Sequence, residues 1–199
     1  MTCQIPCGLG KLKDSGLVKK GAAMAQVTMK KGKLVMGVMA AKLSVMAGAV
    51  DLLCRRFGPV DFLSEPYTFD QTKYYEPEMG PGLKKRLVCF RDLVFPDRLV
   101  SIKRITGSLE KDLAEKGRRI VNLDPGFLSP DSLVLTSVKD APHRIFVQPG
   151  IHAELTLVFE CGEYVCLPWT YPDYALPKTR GFLGRVRKRL LWQLKEQNF

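Results

Sequence analysis

LVMGVMAAKLSVMAGAVDLLCRRFGP, residues 34–59, decides the fold class. LVMGVMA (34–40) is a short apolar run of the kind that forms a strand buried on both faces. SVMAGAVDLLCRRF (44–57) follows at helical spacing, with Val45, Ala49, Leu52, Leu53 and Arg56 on the repeating positions and Ser44 placed to cap the first turn. Gly58-Pro59 ends the helix, because Gly accepts a left-handed backbone and Pro cannot continue the ladder. A doubly buried strand followed at once by an amphipathic helix implies a sheet with helices packed on it. The stretch also resembles a signal peptide: Lys30, Lys31 and Lys33 precede it and small residues close it. Its late start, Lys42 at its centre and its continuation as an amphipathic helix argue against that reading. The uninterrupted apolar run is also shorter than the ~18 residues a membrane span needs. A cytoplasmic protein is therefore expected.

Reading outward, Val60–Phe69 is extended but broken by Pro66, which suits an edge strand or bulge. Residues 71–82 read as a loop, and KKRLVCFRDL (84–93) as a strand. Residues 99–116 form a helix with Leu99, Ile102, Ile105, Leu109 and Leu113 as its buried stripe, and RRIVNL (118–123) is the next strand. The order β-α-β-β-α-β is that of a ferredoxin-like layer, an antiparallel sheet with helices on one face. Residues 128–138 are expected to hold a short helix with Pro130 early in it. Residues 144–147 and 153–159 are strands, the second turning at Cys161-Gly162-Glu163 into a hairpin. A basic helix over 181–195, with Phe182, Val186, Leu190 and Leu194 on one side, closes the chain. The expected class is α+β: a mixed or antiparallel sheet with packed helices, built as a ferredoxin-like core with an added C-terminal hairpin and helix. Residues 1–32 are expected to be a disordered basic leader and 33–199 one α+β domain.

The formal net charge of +11 is concentrated at the ends. Residues 1–33 hold seven Lys and one Asp, residues 178–199 hold seven Lys or Arg and one Glu, and the body between carries 17 basic and 18 acidic residues. Basic ends can steer a chain toward nucleic acid or another anionic surface, but no nucleic-acid motif accompanies them. The six cysteines, at 3, 7, 54, 89, 161 and 166, lack the spacing of a zinc site and read as free thiols in a reducing compartment.

Four polar phrases sit where strands end. Asp70, Tyr75 and Glu76, beside Tyr74, offer oxygen ligands for a cation or polar group, although Asp70 also suits a turn cap. Asn122 and Asp124 share a strand face if alternation holds, while Asp124-Pro125-Gly126 by itself is a strong turn former. Lys139, His143 and Arg144 combine an imidazole with two cations, and Glu154 on the following strand could orient that imidazole or merely bridge it. Trp169 and Asp173, with Tyr171 and Tyr174 between and beside them, could wall a pocket or pin a loop.

Several separated phrases also resemble a known family: FGPVDFLSEPYTFDQTKYYEPEMG from Phe57, NLDPGFLS from Asn122, LVLTSVKDAPHRI from Leu133, GIHAELTL from Gly150 and LPWTYPDY from Leu167. Together they make residues 34–174 similar to the bacterial and archaeal proteins of unknown function grouped as DUF4416. The resemblance implies no catalytic activity. Against the family's usual wording, Gly107 stands where an asparagine is common and His152 where an aromatic residue is typical. The chain has no glycine-rich loop ending in Gly-Lys-Ser or Gly-Lys-Thr, which excludes phosphate binding of the P-loop kind.

The leading functional expectation is a cleft that binds or transforms a small anionic or nucleotide-like ligand. Asp124, His143 and Glu154 are its candidate acid–base residues, and Asp70, Tyr75, Glu76, Asn122, Lys139, Arg144, Trp169 and Asp173 its candidate binding residues. A divalent metal is a candidate cofactor, without a ligand spacing to define it. The alternatives are a nucleic-acid-binding module that uses the basic ends and a structural or partner-binding protein whose C-terminal helix docks elsewhere.

Overall fold

A computed structural model describes residues 29–196. Nearly all of the expected basic leader, including Cys3 and Cys7, lies outside the described residues. The elements run β1 (Gly32–Ala40), α1 (Leu43–Phe57), β2 (Val60–Leu63), β3 (Tyr67–Thr68), α2 (Glu76–Met79), β4 (Lys84–Val94), α3 (Arg98–Asp112), β5 (Val121–Leu128), β6 (Ser132–Ser137), β7 (Ile145–Gln148), β8 (Ile151–Glu160), β9 (Glu163–Cys166), α4 (Pro172–Ala175) and α5 (Pro177–Glu196). All nine strands join one antiparallel sheet in the order β2-β4-β1-β5-β6-β8-β7, with β3 beside β4 and β9 beside β8. The run β2-β4-β1-β5 is the ferredoxin-like split arrangement, with β4 inserted between β1 and β2 and both α1 and α3 crossing over. The C-terminal hairpins extend the sheet beyond β5.

Every residue of β1 is buried, as expected for the central strand. Alternation divides its side chains between two cores. Leu34, Met36, Val38 and Ala40 pack with Met46, Ala49 and Leu53 of α1 and Ile102 of α3. Val35, on the other face, packs with Leu87, Cys89, Leu128, Leu133 and Leu157 beneath Phe182, Leu183, Val186 and Leu190 of α5. Each such aliphatic or aromatic side chain contributes roughly 1.5–3 kcal/mol on burial. The apolar stripe of α5 is thus spent on the protein's own sheet.

Four expectations need correction. Helices cover both faces of the sheet, since α5 takes the face that α1 and α3 leave open. Ser44 lies inside the first turn of α1, whose N-cap is Lys42 with no side-chain cap bond. Residues 128–138 form the β5–β6 hairpin: the Ser129 hydroxyl accepts the backbone N–H groups of Asp131 and Ser132, so Pro130 sits in a tight turn and LVLTS continues as a strand. Finally, the strand placed at 118–123 runs over 121–128, so Asp124-Pro125-Gly126 lies within β5 rather than in a turn.

That last difference shapes the molecule. Pro125 has no N–H for a ladder, and β5–β6 pairing spans only Gly126–Leu128 against Leu133–Leu135. Beyond Gly126 side chains take over the pairing: Thr136 Oγ1 donates to the Pro125 carbonyl at 3.1 Å, Glu110 accepts the Leu123 N–H, and Lys103 Nζ donates to the Leu123 carbonyl at 3.2 Å. The two strands separate there, and side chains rather than β6 satisfy the Leu123 N–H and the Leu123 and Pro125 carbonyls.

A charged cleft on the α5 face beyond the end of the helix

Past the end of the α5 core, the same sheet face changes character. Register brings Met39 opposite Lys85 and Asn122, Gly37 opposite Asp124, and Leu135 opposite both Gly126 and Glu154. Asn122, Asp124 and Glu154 therefore emerge on one face, the first two by alternation along β5 and Glu154 by its pairing with Leu135. The loop around α2 brings Phe69, Tyr74 and Tyr75 over them, and the loop through α4 brings Tyr171, Asp173 and Tyr174. Together these groups enclose a cavity of about 460 Å³, within the ordinary size range of small-ligand sites. Gly37 provides room in its floor: a Cβ there would lie 3.0 Å from the Lys85 side chain and 3.3 Å from the Tyr174 hydroxyl.

Three polar networks line the cavity. In the first, Lys85 Nζ bonds Asp173 at 2.6 Å, Tyr67 donates to the same carboxylate oxygen at 3.1 Å, and the ammonium lies 4.6 Å from the Tyr174 ring centroid. Lys85 and Asp173 are both buried. Burial and the neighbouring Asp173 push the Tyr67 phenol well above its usual range. The Tyr174 hydroxyl is buried without a hydrogen-bond partner.

The second network centres on Asp124, which receives Lys103 Nζ at 3.2 Å and Asn122 Nδ2 at 2.6 Å. Burial pushes its carboxyl upward, but the ammonium groups of Lys103 and Lys85 and the two hydrogen bonds overcome this and hold it below the ordinary carboxylate value. Arg119 extends the network by donating to Asn122 at 2.9 Å and Glu78 at 2.7 Å, with Glu110 at 3.4 Å. Burial raises the Glu110 carboxyl despite its bond from the Leu123 N–H.

Glu154, 1% exposed, anchors the third network. Its Oε2 accepts Arg144 Nε at 2.8 Å and lies 3.1 Å from His143 Nε2, while Arg144 also donates to the Tyr171 hydroxyl at 2.6 Å. The Tyr171 phenol is pushed up to about 12, chiefly by burial and then by Glu154. His143 stacks on Trp169 with ring centroids 5.5 Å apart and an interplanar angle of 12°. Glu154 Oε1 is buried and unpartnered. At the mouth, Lys139 Nζ lies 3.3 Å from the Tyr74 ring centroid and 5.5 Å from that of Tyr75, and among the described residues no carboxylate comes within salt-bridge distance of it.

Comparison with known protein families matches residues 30–190 to DUF4416, described as a domain of unknown function. The chain belongs to the DUF4416 family. No curated protein and no solved structure matches it. The cleft of this DUF4416 protein collects Tyr75, Asn122, Asp124, Lys139, Arg144, Glu154 and Asp173 from the sequence-predicted set. His143 and Trp169 lie outside the lining: His143 touches Glu154, and Trp169 stacks on His143. Asp70 and Glu76 are exposed and outside the lining: Asp70 accepts from the neighbouring Gln71, and Glu78 rather than Glu76 reaches Arg119. Among the described residues, no group of three or more His, Cys, Asp or Glu side chains is arranged to hold a metal ion. No helix among them is long and apolar enough to cross a membrane.

The residues not anticipated are Lys85, Lys103, Glu110 and Arg119. Lys103, Gly107 and Glu110 recur at helical spacing next to the apolar stripe of α3, and that was the available signal. Lys85 was hidden among Lys84-Lys85-Arg86, where only the strand register distinguishes one cation from its neighbours.

Proposed function

We propose that this DUF4416 protein binds a small anionic, ring-bearing ligand of nucleotide-like character in the cleft between β5, β6, β8 and the loops around α2 and α4. The observation that carries the reading is Lys139, a cation with no carboxylate partner among the described residues, held at the cavity mouth against two tyrosine rings. An anion would supply its missing partner, and an aromatic ligand ring would find Tyr74 and Tyr75 beside it. Glu154 Oε1 gives the interior a strong acceptor for a ligand N–H or O–H. If the ligand is transformed, that oxygen is the acid–base group, with His143 and Arg144 as positioning residues. Asp124, bonded to Lys103 and Asn122 and held ionised, acts as an anchor rather than a proton donor. Free Cys54, Cys89, Cys161 and Cys166 agree with a reducing cytoplasmic setting.

The test is a thermal-shift and calorimetric screen of the full chain against nucleotides, sugar phosphates and carboxylates at low ionic strength. A saturable ligand whose affinity falls at least tenfold in Lys139→Ala and in Glu154→Gln supports the reading; a ligand stabilises the fold in proportion to ln(1 + [L]/Kd). Binding unaltered by both variants, or none from any class, overturns it. A second reading has its own observation: Arg185, Lys188 and Lys195 form an exposed basic stripe on α5 with Trp192, 49% exposed, beside Arg189. An oligonucleotide included in the same screen separates the two, because binding there would survive Lys139→Ala and vanish when Arg185 and Lys188 are neutralised.

A further inference from the structure

A second cavity, about 650 Å³ in volume, lies between α3 and the turn joining β7 to β8. It shares Lys103, Gly107, Glu110, Arg119 and Val138 with the cleft, so the two spaces meet where β5 and β6 have separated. Gly107 occupies that junction. It is inside α3, where glycine costs roughly 0.5–1 kcal/mol relative to alanine, and no atom lies within 4 Å of where its Cβ would stand. No packing requirement explains the missing side chain, and what its absence leaves is open space.

The chemistry of the second cavity is cationic. Lys103, Arg104, Lys111 and Arg119 line it against Glu78 and Glu110. Both carboxylates are engaged by Arg119, and among the described residues neither Arg104 nor Lys111 has a carboxylate within salt-bridge distance. Arg119 reaches both spaces, and its Nε is buried without a partner.

We infer that the two cavities form one continuous site through the opening at Gly107, and that its ligand is an elongated polyanion. One charged group would lie near Lys139 and another near Arg104 and Lys111. This rests on the cleft reading above and extends it from a small anion to one with separated charges. Coulomb attraction from two separate, unneutralised cationic points rewards such a ligand over a compact anion.

The experiment compares inorganic phosphate with linear tripolyphosphate by calorimetric titration at one low ionic strength, on the wild-type chain, on Gly107→Leu and on the double variant Arg104→Ala/Lys111→Ala. The expected result is tighter wild-type binding of tripolyphosphate by at least tenfold, with that preference lost in both variants. Leu is a better helix former than Gly, so Gly107→Leu blocks the opening without weakening α3; should it fail to fold, the double variant, altered only on exposed side chains, decides. A preference that persists in the variants, or no preference in the wild type, overturns the continuous site and leaves the cleft standing. No binding of either anion overturns the continuous site, and the screen of nucleotides, sugar phosphates and carboxylates then decides the cleft by itself.

Discussion

The face of the sheet beneath α5 and the face of the cleft are carried by the same strands. In β1 the sequence passes from Val35 under α5 to Gly37 in the cleft, in β4 from Leu87 to Lys85, and in β5 from Leu128 to Asp124. In β8 it passes from Leu157 to Glu154, where an irregularity in the β6–β8 register shifts the alternation by one residue. One end is apolar and sealed by a twenty-residue helix. The other is charged and roofed by short loops. Each end also buries a lysine. Lys33 is met by Asp61 and the carbonyls of Phe90 and Arg91, which use all three of its donors. Lys85 has one carboxylate oxygen, two nearby aromatic rings and a cavity. The difference separates a charge enclosed by the fold from one that also faces a cavity.

The largest expected effect comes from exchanging the characters of the two ends. Leu157→Glu places a carboxylate with no cationic partner in the apolar core beneath α5 and should cost more than about 4 kcal/mol, enough to unfold many domains. Glu154→Leu should cost about 1–3 kcal/mol, because Arg144 keeps the Tyr171 hydroxyl and the Lys139 carbonyl. Urea unfolding, with the slope checked for constancy, measures both. Equal costs would mean that the ends do not differ in tolerance for charge.

A smaller contrast lies between the two lysine pairs. Asp61→Ala strands Lys33 inside the sheet and should cost about 3–5 kcal/mol, the range for breaking a buried pair. Asp173→Ala leaves Lys85 with the Tyr174 and Phe69 rings and with Asp124 nearby, so about 1–2 kcal/mol is expected. Denaturation midpoints of the two variants should fall in that order. The reverse order would make the cleft lysine the structural one.

The sequence made the first end easier to read than the second. Apolar runs and helical stripes report burial directly, so β1, α1, α3 and α5 could be placed from residues 34–40, 44–57, 99–113 and 182–194 without knowing their neighbours. Asn122 and Asp124 were legible because alternation along one strand is local, and Glu154 because it could pair with His143, although simple alternation sets it opposite Leu157 and the β6–β8 irregularity puts both on one face. Lys103, Glu110 and Arg119 were not: their roles depend on β5 and β6 parting at Pro125, and Asp-Pro-Gly reads locally as a turn. Pro130 was misleading in the same way, since a proline suits both a helix start and a hairpin turn. Only long-range strand pairing distinguishes those alternatives.

The smallest predicted effect tests whether the cleft lysines act on Asp124 electrostatically. Burial would raise its carboxyl, yet Lys103 and Lys85 hold it below 3.8 in the folded protein. A folded-state value below the unfolded one means that ionised Asp124 stabilises the fold, with the contribution complete above 3.8 and lost as pH falls through the folded value. The gap in melting temperature between the wild type and Asp124→Asn should therefore be flat near neutrality and close in acid. Glu110 has the opposite sign: burial raises it above 4.5, so its contribution is complete below that value and is lost as pH rises through the folded value. Glu110→Gln should gain on the wild type as pH rises where Asp124→Asn falls behind. Two carboxylates near Lys103 would then be shifted in opposite directions, because Asp124 receives its ammonium directly whereas at Glu110 burial outweighs both Lys103 and the Leu123 N–H. Parallel profiles for the two variants would remove Lys103 as the cause and leave burial alone to set both groups.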